Sequence, residues 1–246
     1  MGSGVGGAWR MAEERPPLRV VISDPRAGDK VVRVKVKGVD DIEYTDDMRK
    51  TKESDRRKLP IARVSRKLFE ELNLGEVGVL TLRFKTPDGK KVKVPFKAEV
   101  KEDLEDNVVE VNMELLGEAA GELEAEADAF RAKSWQIAVP DEVHVKLAGL
   151  EIGDVFDGSL IGMPGLKFKI RGGTDATGIP MHPGVPGSGR YKVLLAGPPG
   201  FHPSERGERR RKSVRGRMIP DPRGERRKTA LAQLNIVIHY GGKEEA

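Results

Sequence analysis

The sequence contains no cysteine among its 246 residues. This absence excludes a disulfide framework, a cysteine-based zinc site, an iron–sulfur cluster and a cysteine nucleophile. Aromatic residues make up only 5% of the chain, so the core must rest on Val, Leu, Ile and Ala side chains. No apolar run approaches the roughly 20 residues that a membrane-spanning helix needs. The first 17 residues also lack the apolar region of a secretory signal. Together these absences predict an intracellular protein.

The formal net charge of +5 hides two blocks of opposite sign. From Glu99 to Asp128 there are twelve acidic residues and one basic residue, whereas from Glu205 to Lys228 there are eleven basic and four acidic residues. Such blocks repel themselves and seldom fold alone. The basic block is rich in arginine, whose guanidinium groups bind phosphates and stack on bases. Because glycine and proline interrupt this block and a strand follows it, we interpret it as a nucleic-acid-binding loop rather than a solvated tail.

Short strands are predicted at both ends of the chain. Leu18–Ser23 is apolar and Lys30–Lys37 alternates valine with basic residues, so together they predict a β-hairpin with one basic face. In the last hundred residues, alternation around Phe168 and the segments Arg190–Ala196 and Leu231–Tyr240 predict further strands. Many short strands with Gly/Pro turns favour a small β-barrel or sandwich.

The middle of the chain, residues 40–138, has a different pattern. It predicts a short helix capped by Ser65 and a hairpin of Val79–Phe84 with Val92–Ala98, in which Pro95 makes the second strand an edge. Alternation from Val109 to Leu115 predicts another strand, the Ala- and Glu-rich segment Glu118–Lys133 a helix, and Trp135–Val139 a last strand. Its own pattern and its negative charge predict an inserted α+β unit.

The predicted fold class is therefore mainly β: a small β-barrel with a long basic loop, interrupted by an inserted α+β unit. The predicted organisation is a disordered leader (1–17), a discontinuous RNA-binding β-barrel domain (18–39 plus 139–240), an inserted acidic α+β unit (40–138) and a C-terminal tail (241–246).

Catalytic motifs are incomplete in this sequence. Val193–Gly200 is similar to the strand and loop that open a phosphate-binding site, but the second glycine and the lysine of that motif are missing. Pro203 also opposes the helix whose N-terminus would bind phosphate. The four histidines are not spaced as metal ligands. We therefore predict no catalytic residue, no metal site and no cofactor.

The C-terminal block resembles a known family. The segments KIRGGTDATGIPM (Lys169–Met181), GERRRKSVRG (Gly207–Gly216) and LNIVI (Leu234–Ile238) are similar to the small-subunit ribosomal protein family S6e of archaea and eukaryotes. The opening hairpin and Leu147–Gly165 are similar to further parts of that family, so the resemblance covers about 18–38 and 144–240. Archaeal members are expected to be near half this length, which makes 40–138 a long insertion.

The resemblance implies a structural constituent of the small ribosomal subunit that is not an enzyme. The high charge and the absence of cysteine are compatible with a thermophilic archaeon as the source. The resemblance also implies a cytoplasmic, ribosomal location and, as partners, small-subunit ribosomal RNA and neighbouring ribosomal proteins, but no membrane and no small-molecule substrate. The predicted RNA-binding residues are Lys167, Lys169, Arg171, Arg190, Lys192, His202, Arg206, Arg209, Arg210, Arg211, Lys212, Arg215, Arg217, Arg223, Arg226, Arg227 and Lys228. Gly207, Gly216 and Gly224 would let the backbone bend close to RNA, and the loop is expected to be disordered alone and ordered on RNA.

Two other functions stay open from sequence. One is a non-ribosomal RNA-binding or processing factor that uses the same barrel. The other is a protein-interaction module, in which the acidic insertion docks a basic partner. The net charge of −11 between Glu99 and Asp128 argues against phosphate contact in the insertion.

Overall fold

The computed structural model describes residues 17–49, 56–75, 77–85, 91–102, 104–224 and 230–241. The predicted leader up to residue 16 and the tail from residue 242 lie outside these ranges, as does Thr86-Pro87-Asp88-Gly89, the turn signal between the two strands of the hairpin predicted for Val79–Phe84 and Val92–Ala98. The chain forms two compact units, one made of residues up to Ser23 together with those from Ala138 onward, and the other of Asp24–Ile137. We call the first the sheet unit and the second the barrel unit.

Short strands dominate the described residues, so the mainly β prediction is confirmed. The strands are β1 (Leu18–Ser23), β2 (Val31–Val39), β3 (Ile61–Val64), β4 (Val79–Lys85), β5 (Lys91–Val100), β6 (Val108–Asn112), β7 (Glu124–Arg131), β8 (Ser134–Val139), β9 (Val155–Asp157), β10 (Lys167–Asp175), β11 (Arg190–Leu195), β12 (Arg210–Arg215) and β13 (Leu231–Ile238). The helices are α1 (Arg66–Glu71), α2 (Met113–Ala120) and α3 (Asp141–Leu147), with 3-10 turns at Asp46–Met48, Gly158–Ile161 and Pro222–Gly224. Among the helices of the described ranges, none is both long and apolar enough to cross a membrane.

The barrel unit is built around a closed six-stranded barrel with the order β2-β6-β3-β5-β4-β7. Its strands alternate, so that one set of side chains fills the interior and the other faces outward. Phe84 and Phe96 are fully buried inside it, and Ala127 and Ala129 of β7 are buried in the same core. Each buried phenylalanine contributes about 2 kcal/mol of hydrophobic stabilisation. A closed barrel is therefore present, but the segment predicted as the inserted α+β unit forms most of it.

The sheet unit contains a five-stranded sheet with the order β8-β1-β13-β10-β9 and a separate two-stranded ribbon, β11-β12. The first four residues of β8 belong to the barrel unit. Val20 of β1, Ile236 of β13 and Phe168 of β10 are buried on one face of the sheet. Apart from β2, which belongs to the closed barrel, the region predicted to form the barrel domain thus forms an open sheet and a ribbon.

The predicted hairpin of the first two strands is wrong. β1 pairs in parallel with β13, whereas β2 pairs with β6 and β7 of the barrel. Val34 and Val36 of β2 point into the barrel core, which explains the alternation that suggested a half-buried strand. The observed units divide after Ser23 and after Ile137, where the prediction placed the boundaries after residues 39 and 138.

The predicted helix at Glu118–Lys133 is also wrong. Helix α2 ends at Ala120, and β7 follows from Glu124 to Arg131. Alanines alternate with acidic residues in β7, and this period of two suits a strand whose alanines face the core. The acidic residues instead lie across from basic residues of β2, in the pairs Lys37↔Glu124, Lys35↔Glu126 and Arg33↔Asp128.

Several local predictions in this region are confirmed. Ser65 caps α1 by accepting a hydrogen bond from Leu68 N at 3.3 Å. β4 pairs with β5, and β8 coincides with the strand predicted after Lys133.

Two other predictions in this region are corrected. The strand predicted from Val109 ends at Asn112, since Met113 already begins α2. Strand β5 is not an edge, because it pairs with both β4 and β3; its pairing with β3 begins at Lys97, beyond Pro95.

The ends of the barrel unit are joined by a buried ion pair. Arg131, at the end of β7, donates to Asp24 Oδ2 at 2.7 Å and to the carbonyl of Asn73 at 2.7 Å. The backbone N–H of Asp24 donates to the carbonyl of Lys133 at 2.9 Å. Both charged side chains are buried, so water does not weaken the pair.

Candidate nucleic-acid interface

The basic block folds partly into the β11-β12 ribbon. The two strands are antiparallel, with Arg190 across from Arg215 and Leu195 across from Arg210. The prediction of one long loop is therefore wrong for Arg210–Arg215. Sequence reasoning missed this strand because its first three residues are all basic, whereas its pairing with β11 depends on a partner about twenty residues away.

A small apolar cluster supports the ribbon from one side. Leu195 of β11 and Val214 of β12 are buried together with Phe201 from the connecting loop. Val185 and Val193 pack against them. Because a two-stranded ribbon alone is only marginally stable in water, this cluster is what favours a formed ribbon in the free protein.

The buried carboxylate of Asp175 fixes the start of the ribbon. One oxygen accepts hydrogen bonds from the backbone N–H of Thr177 (2.9 Å), the Thr177 hydroxyl (2.8 Å) and the backbone N–H of Ile179 (3.0 Å). The other oxygen lies 2.6 Å from Arg190 Nη2. The GGTDATGIPM segment thus forms a turn that places Arg190 at the end of β10.

The chain leaving β12 is held by protein backbone. Arg215 N donates to the carbonyl of Pro180 at 2.8 Å and Gly216 N to that of Gly189 at 2.9 Å. A Cβ on Gly216 would overlap the carbonyl of Gly187. Gly216 is therefore needed for a close approach between two protein segments, where the sequence suggested an approach to RNA.

Five basic side chains of the ribbon and its connecting loop are exposed and form no ion pair with any described residue. We call them the free ribbon bases: Lys192, Arg206, Arg209, Arg211 and Lys212. Paired residues of an antiparallel ribbon share a face. The pairing of Lys212 with Val193 and of Arg211 with Leu194 therefore puts basic side chains on both faces. His202 lies exposed in the same loop.

The other predicted bases near the ribbon are held by protein groups. Arg210 Nε lies 2.9 Å from Glu208, Arg217 Nε 2.6 Å from Glu151, and Arg223 Nη2 2.8 Å from Asp221. Arg190 pairs with Asp175, as described above. Arg215 is only 3% exposed and donates to the carbonyl of Ser188 at 3.1 Å, so we leave it out of the candidate surface. Arg226, Arg227 and Lys228 lie outside the described residues.

The pair of Asp221 and Arg223 has an electrostatic consequence. Hydrogen bonds from the Arg223 side chain and then from its backbone N–H lower the pKa of Asp221 from 3.8 to about 2. The partner's positive charge thus keeps Asp221 ionised well into acidic solution, while the carboxylate neutralises Arg223 as a ligand for phosphate.

The remaining predicted bases lie on the main sheet. Lys167, Lys169 and Arg171 occupy β10, on the face opposite the buried Phe168 and Ile170. Lys167 and Arg171 are exposed, and Lys167 lies across from Asp157 of β9. These bases and the free ribbon bases therefore belong to two separate elements of the sheet unit. Within the described ranges, no group of three His, Asp or Glu side chains could hold a metal ion.

Two exposed apolar residues on the ribbon were missed by sequence reasoning. Tyr191 is 47% exposed and lies between Arg190 and Lys192 in β11, whereas Leu194 is 58% exposed and lies across from Arg211 of β12. Aromatic and apolar side chains beside arginine and lysine are typical of surfaces on which unpaired bases stack. The alternation in RYKVLL, read against a partner strand, is the signal that could have revealed them.

Known proteins are similar to this chain over nearly its whole length. The profile of the family "Ribosomal protein S6e" matches residues 127–245. Proteins named "Small ribosomal subunit protein eS6" are 94% identical in Aeropyrum pernix over 235 residues and 45% identical in Hyperthermus butylicus over 231 residues. The alignments cover 96% and 93% of this chain, respectively, and 100% of each relative. The protein of the same name in Saccharolobus solfataricus is 42% identical over 91% of this chain and 99% of its own length.

These alignments also correct the expected family length. An alignment of 231 residues in a chain of 246 must include most of residues 40–138. The relatives therefore contain a counterpart of that segment. The expectation that archaeal members are near half this length is therefore wrong for these relatives. The family resemblance itself is confirmed: the chain belongs to the ribosomal protein S6e family.

Proposed function

We propose that this protein is a structural component of the small ribosomal subunit and binds its RNA through the β11-β12 ribbon. The observation that carries the proposal is the set of free ribbon bases, presented on a ribbon whose start and end are anchored by protein contacts. The names of the relatives support the ribosomal part of the proposal. In this proposal the protein is not an enzyme, and it acts in the cytoplasm beside neighbouring ribosomal proteins.

Phosphate contact by the free ribbon bases would supply most of the affinity. Contacts to phosphates position a protein on RNA without reading its sequence. If each of the five bases neutralises one phosphate, the log–log dependence of affinity on salt has a slope of roughly −3.5 to −4.5. Lys167, Lys169 and Arg171 of β10, together with His202, are further candidate contacts. Tyr191 and Leu194 would cover unstacked bases between the phosphates.

The test combines cosedimentation with small subunits in a high-salt sucrose gradient and filter binding of small-subunit ribosomal RNA. Arg211→Gln with Lys212→Gln should weaken RNA binding roughly tenfold near physiological salt and reduce the slope by about 1.5. The matched control is Arg66→Gln with Lys67→Gln on α1, which removes two bases already paired with Glu70 and with Asp106, respectively. A wild-type protein that stays at the top of the gradient, or equal RNA binding by the two double variants, would reject the proposal.

A further inference from the structure

Charged residues on the outside of the barrel are arranged strand by strand. Basic residues of β2 lie across from acidic residues of β7, as the pair Lys35↔Glu126 illustrates. On the other side of β7, Arg83 of β4 donates to Asp128 through Nε at 3.0 Å and Nη2 at 2.7 Å. Opposite charges on neighbouring strands stabilise a sheet, so this part of the surface is explained by folding.

The next pair of strands breaks this rule. Arg83 lies directly across from Lys93 and Lys85 directly across from Lys91, so β4 and β5 present like charges to each other. We call these four residues the β4-β5 basic face. Lys85, Lys91 and Lys93 are exposed, and none forms an ion pair with a described residue. Asp128 offsets the charge of Arg83, but Lys85 and Lys91 face each other with no ion-pair partner among the described residues. Like charges placed directly opposite each other destabilise a sheet, so folding does not account for these lysines.

We propose that the β4-β5 basic face is a second RNA-binding surface, which contacts phosphates independently of the ribbon. The inference rests on the proposed function for the identity of the polyanion. Same-face residues along a strand lie roughly 7 Å apart and neighbouring strands about 4.8 Å apart, so Lys85, Lys91 and Lys93 form a compact array of exposed cations, beside which Arg83 is held by Asp128. Such an array recognises closely spaced negative charges, and it lacks the hydrogen-bond acceptors that would select a particular protein side chain.

A groove beside this face favours RNA over an acidic protein. Lys93 lines a groove of about 640 Å³ together with Lys133 and the partly exposed ring of Phe130, whereas Trp135 at its base is only 3% exposed. Arg83 lies over the Phe130 ring, with its guanidinium carbon 6.0 Å from the ring centroid. A partly exposed phenylalanine next to lysine and arginine suits an unpaired base whose phosphates lie on the basic face.

The acidic block does not exclude this contact. Glu124, Glu126 and Asp128 of β7 face the basic residues of β2, and Glu110 of β6 accepts hydrogen bonds from Lys101 at 3.0 and 3.1 Å. The net charge of −11 is thus partly neutralised by neighbouring strands, and the positive surface lies elsewhere on the same barrel. The net charge of a sequence segment therefore does not show where on the barrel surface its positive residues lie.

The test is Lys91→Gln with Lys93→Gln in the full-length protein, compared with Lys35→Gln with Lys37→Gln. Both variants lose two positive charges from the same barrel, but Lys35 and Lys37 have acidic cross-strand partners. We expect Lys91→Gln/Lys93→Gln to bind small-subunit ribosomal RNA roughly tenfold more weakly near physiological salt. The log–log slope of affinity against salt should become shallower by about 1.5. The Lys35→Gln/Lys37→Gln control should change affinity less than about twofold.

Thermal unfolding distinguishes a binding role from a structural one. Since the substitution removes like-charge repulsion, the Tm of Lys91→Gln/Lys93→Gln should equal or exceed that of the wild type. Unchanged RNA binding by this variant, while Arg211→Gln/Lys212→Gln still weakens it, would overturn the inference and leave the ribbon proposal intact. The reverse pattern would support this face and reject the ribbon. Loss of subunit incorporation with RNA binding unchanged would assign the face to an acidic protein and also overturn the inference.

Discussion

Asp175 accepts three hydrogen bonds on one carboxylate oxygen and a bond from Arg190 on the other, with no exposure of its side chain. Replacement by asparagine keeps the shape but removes the charge that Arg190 faces. Because Arg190 is partly exposed, we expect Asp175→Asn to lower the free energy of unfolding by about 2 kcal/mol, measured by urea denaturation. The control Thr177→Val keeps the buried charge but removes the hydroxyl, which donates to Asp175 at 2.8 Å and accepts from Arg190 at 3.1 Å, and it should cost about 1 kcal/mol. Equal stability of Asp175→Asn and wild type would show that Arg190 does not depend on this carboxylate.

The Asp221–Arg223 pair predicts a measurable pH dependence. The pKa of Asp221 is lowered to about 2 from an ordinary value of 3.8, chiefly by the Arg223 side chain. A lowered pKa in the folded state means that the pair stabilises the protein above pH 3.8, and that this contribution is lost as the pH falls toward 2. NMR titration of the carboxyl group should give a pKa near 2 in the wild type. The value should return toward 3.8 in Arg223→Gln but not in Arg217→Gln, whose arginine pairs with Glu151. An ordinary Asp221 pKa in the wild type would contradict the pairing.

At the scale of the element, the ribbon depends on Gly216. An alanine there would place its Cβ against the backbone of Gly187, and backbone cannot move aside as a flexible side chain can. We expect Gly216→Ala to lower the Tm by at least several degrees and to reduce amide protection in β12, measured by hydrogen exchange. Gly224→Ala is the control, because a Cβ at Gly224 meets no atom within 4 Å. Normal protection of β12 in Gly216→Ala would mean that the close approach is dispensable.

The elements differ in how far the sequence determined them. Helix α1 and the β4–β5 pair could be predicted because their signals are local: a serine cap, apolar residues four apart, and alternation on both sides of a Pro-Asp-Gly sequence that favours a turn. β7 was misread because its composition of alanine and glutamate favours a helix, whereas its alternation of two fits the barrel wall. β12 was missed because only Val214 reveals its buried face. In both strands the pairing partner outweighed the local propensity.

At the scale of the whole molecule, the sequence predicted an interrupted domain but not its boundaries. The parallel pairing of β1 with β13 joins segments more than two hundred residues apart, and no local pattern announces such a contact. The predicted RNA-binding residues fared differently from one another. Five of them are the free ribbon bases, several are neutralised by carboxylates, and Arg215 is buried. Sequence reveals which residues are basic, but folding decides which of them remain available.

The barrel unit should fold on its own. It contains a closed barrel with its own core, so a fragment of residues 24–137 should be monomeric in gel filtration and unfold cooperatively in circular dichroism. A fragment of residues 42–136 is the control, because it lacks β2 and therefore leaves β6 and β7 without their shared neighbour. That fragment should aggregate. Cooperative folding of both fragments, or of neither, would argue against the observed boundary.

The ion pair between Asp24 and Arg131 brings the two ends of the barrel unit together, which makes its insertion or deletion during evolution easier. Because the unit's first residue is fastened to the last residue of its final barrel strand, the polypeptide enters and leaves at nearly one point. A segment with coincident ends can be gained or lost at a turn without stretching the strands on either side. For the same reason the barrel unit can be inserted into another protein. Placed in a surface turn of an unrelated host, it should keep its own fold and leave the fold of the host unchanged.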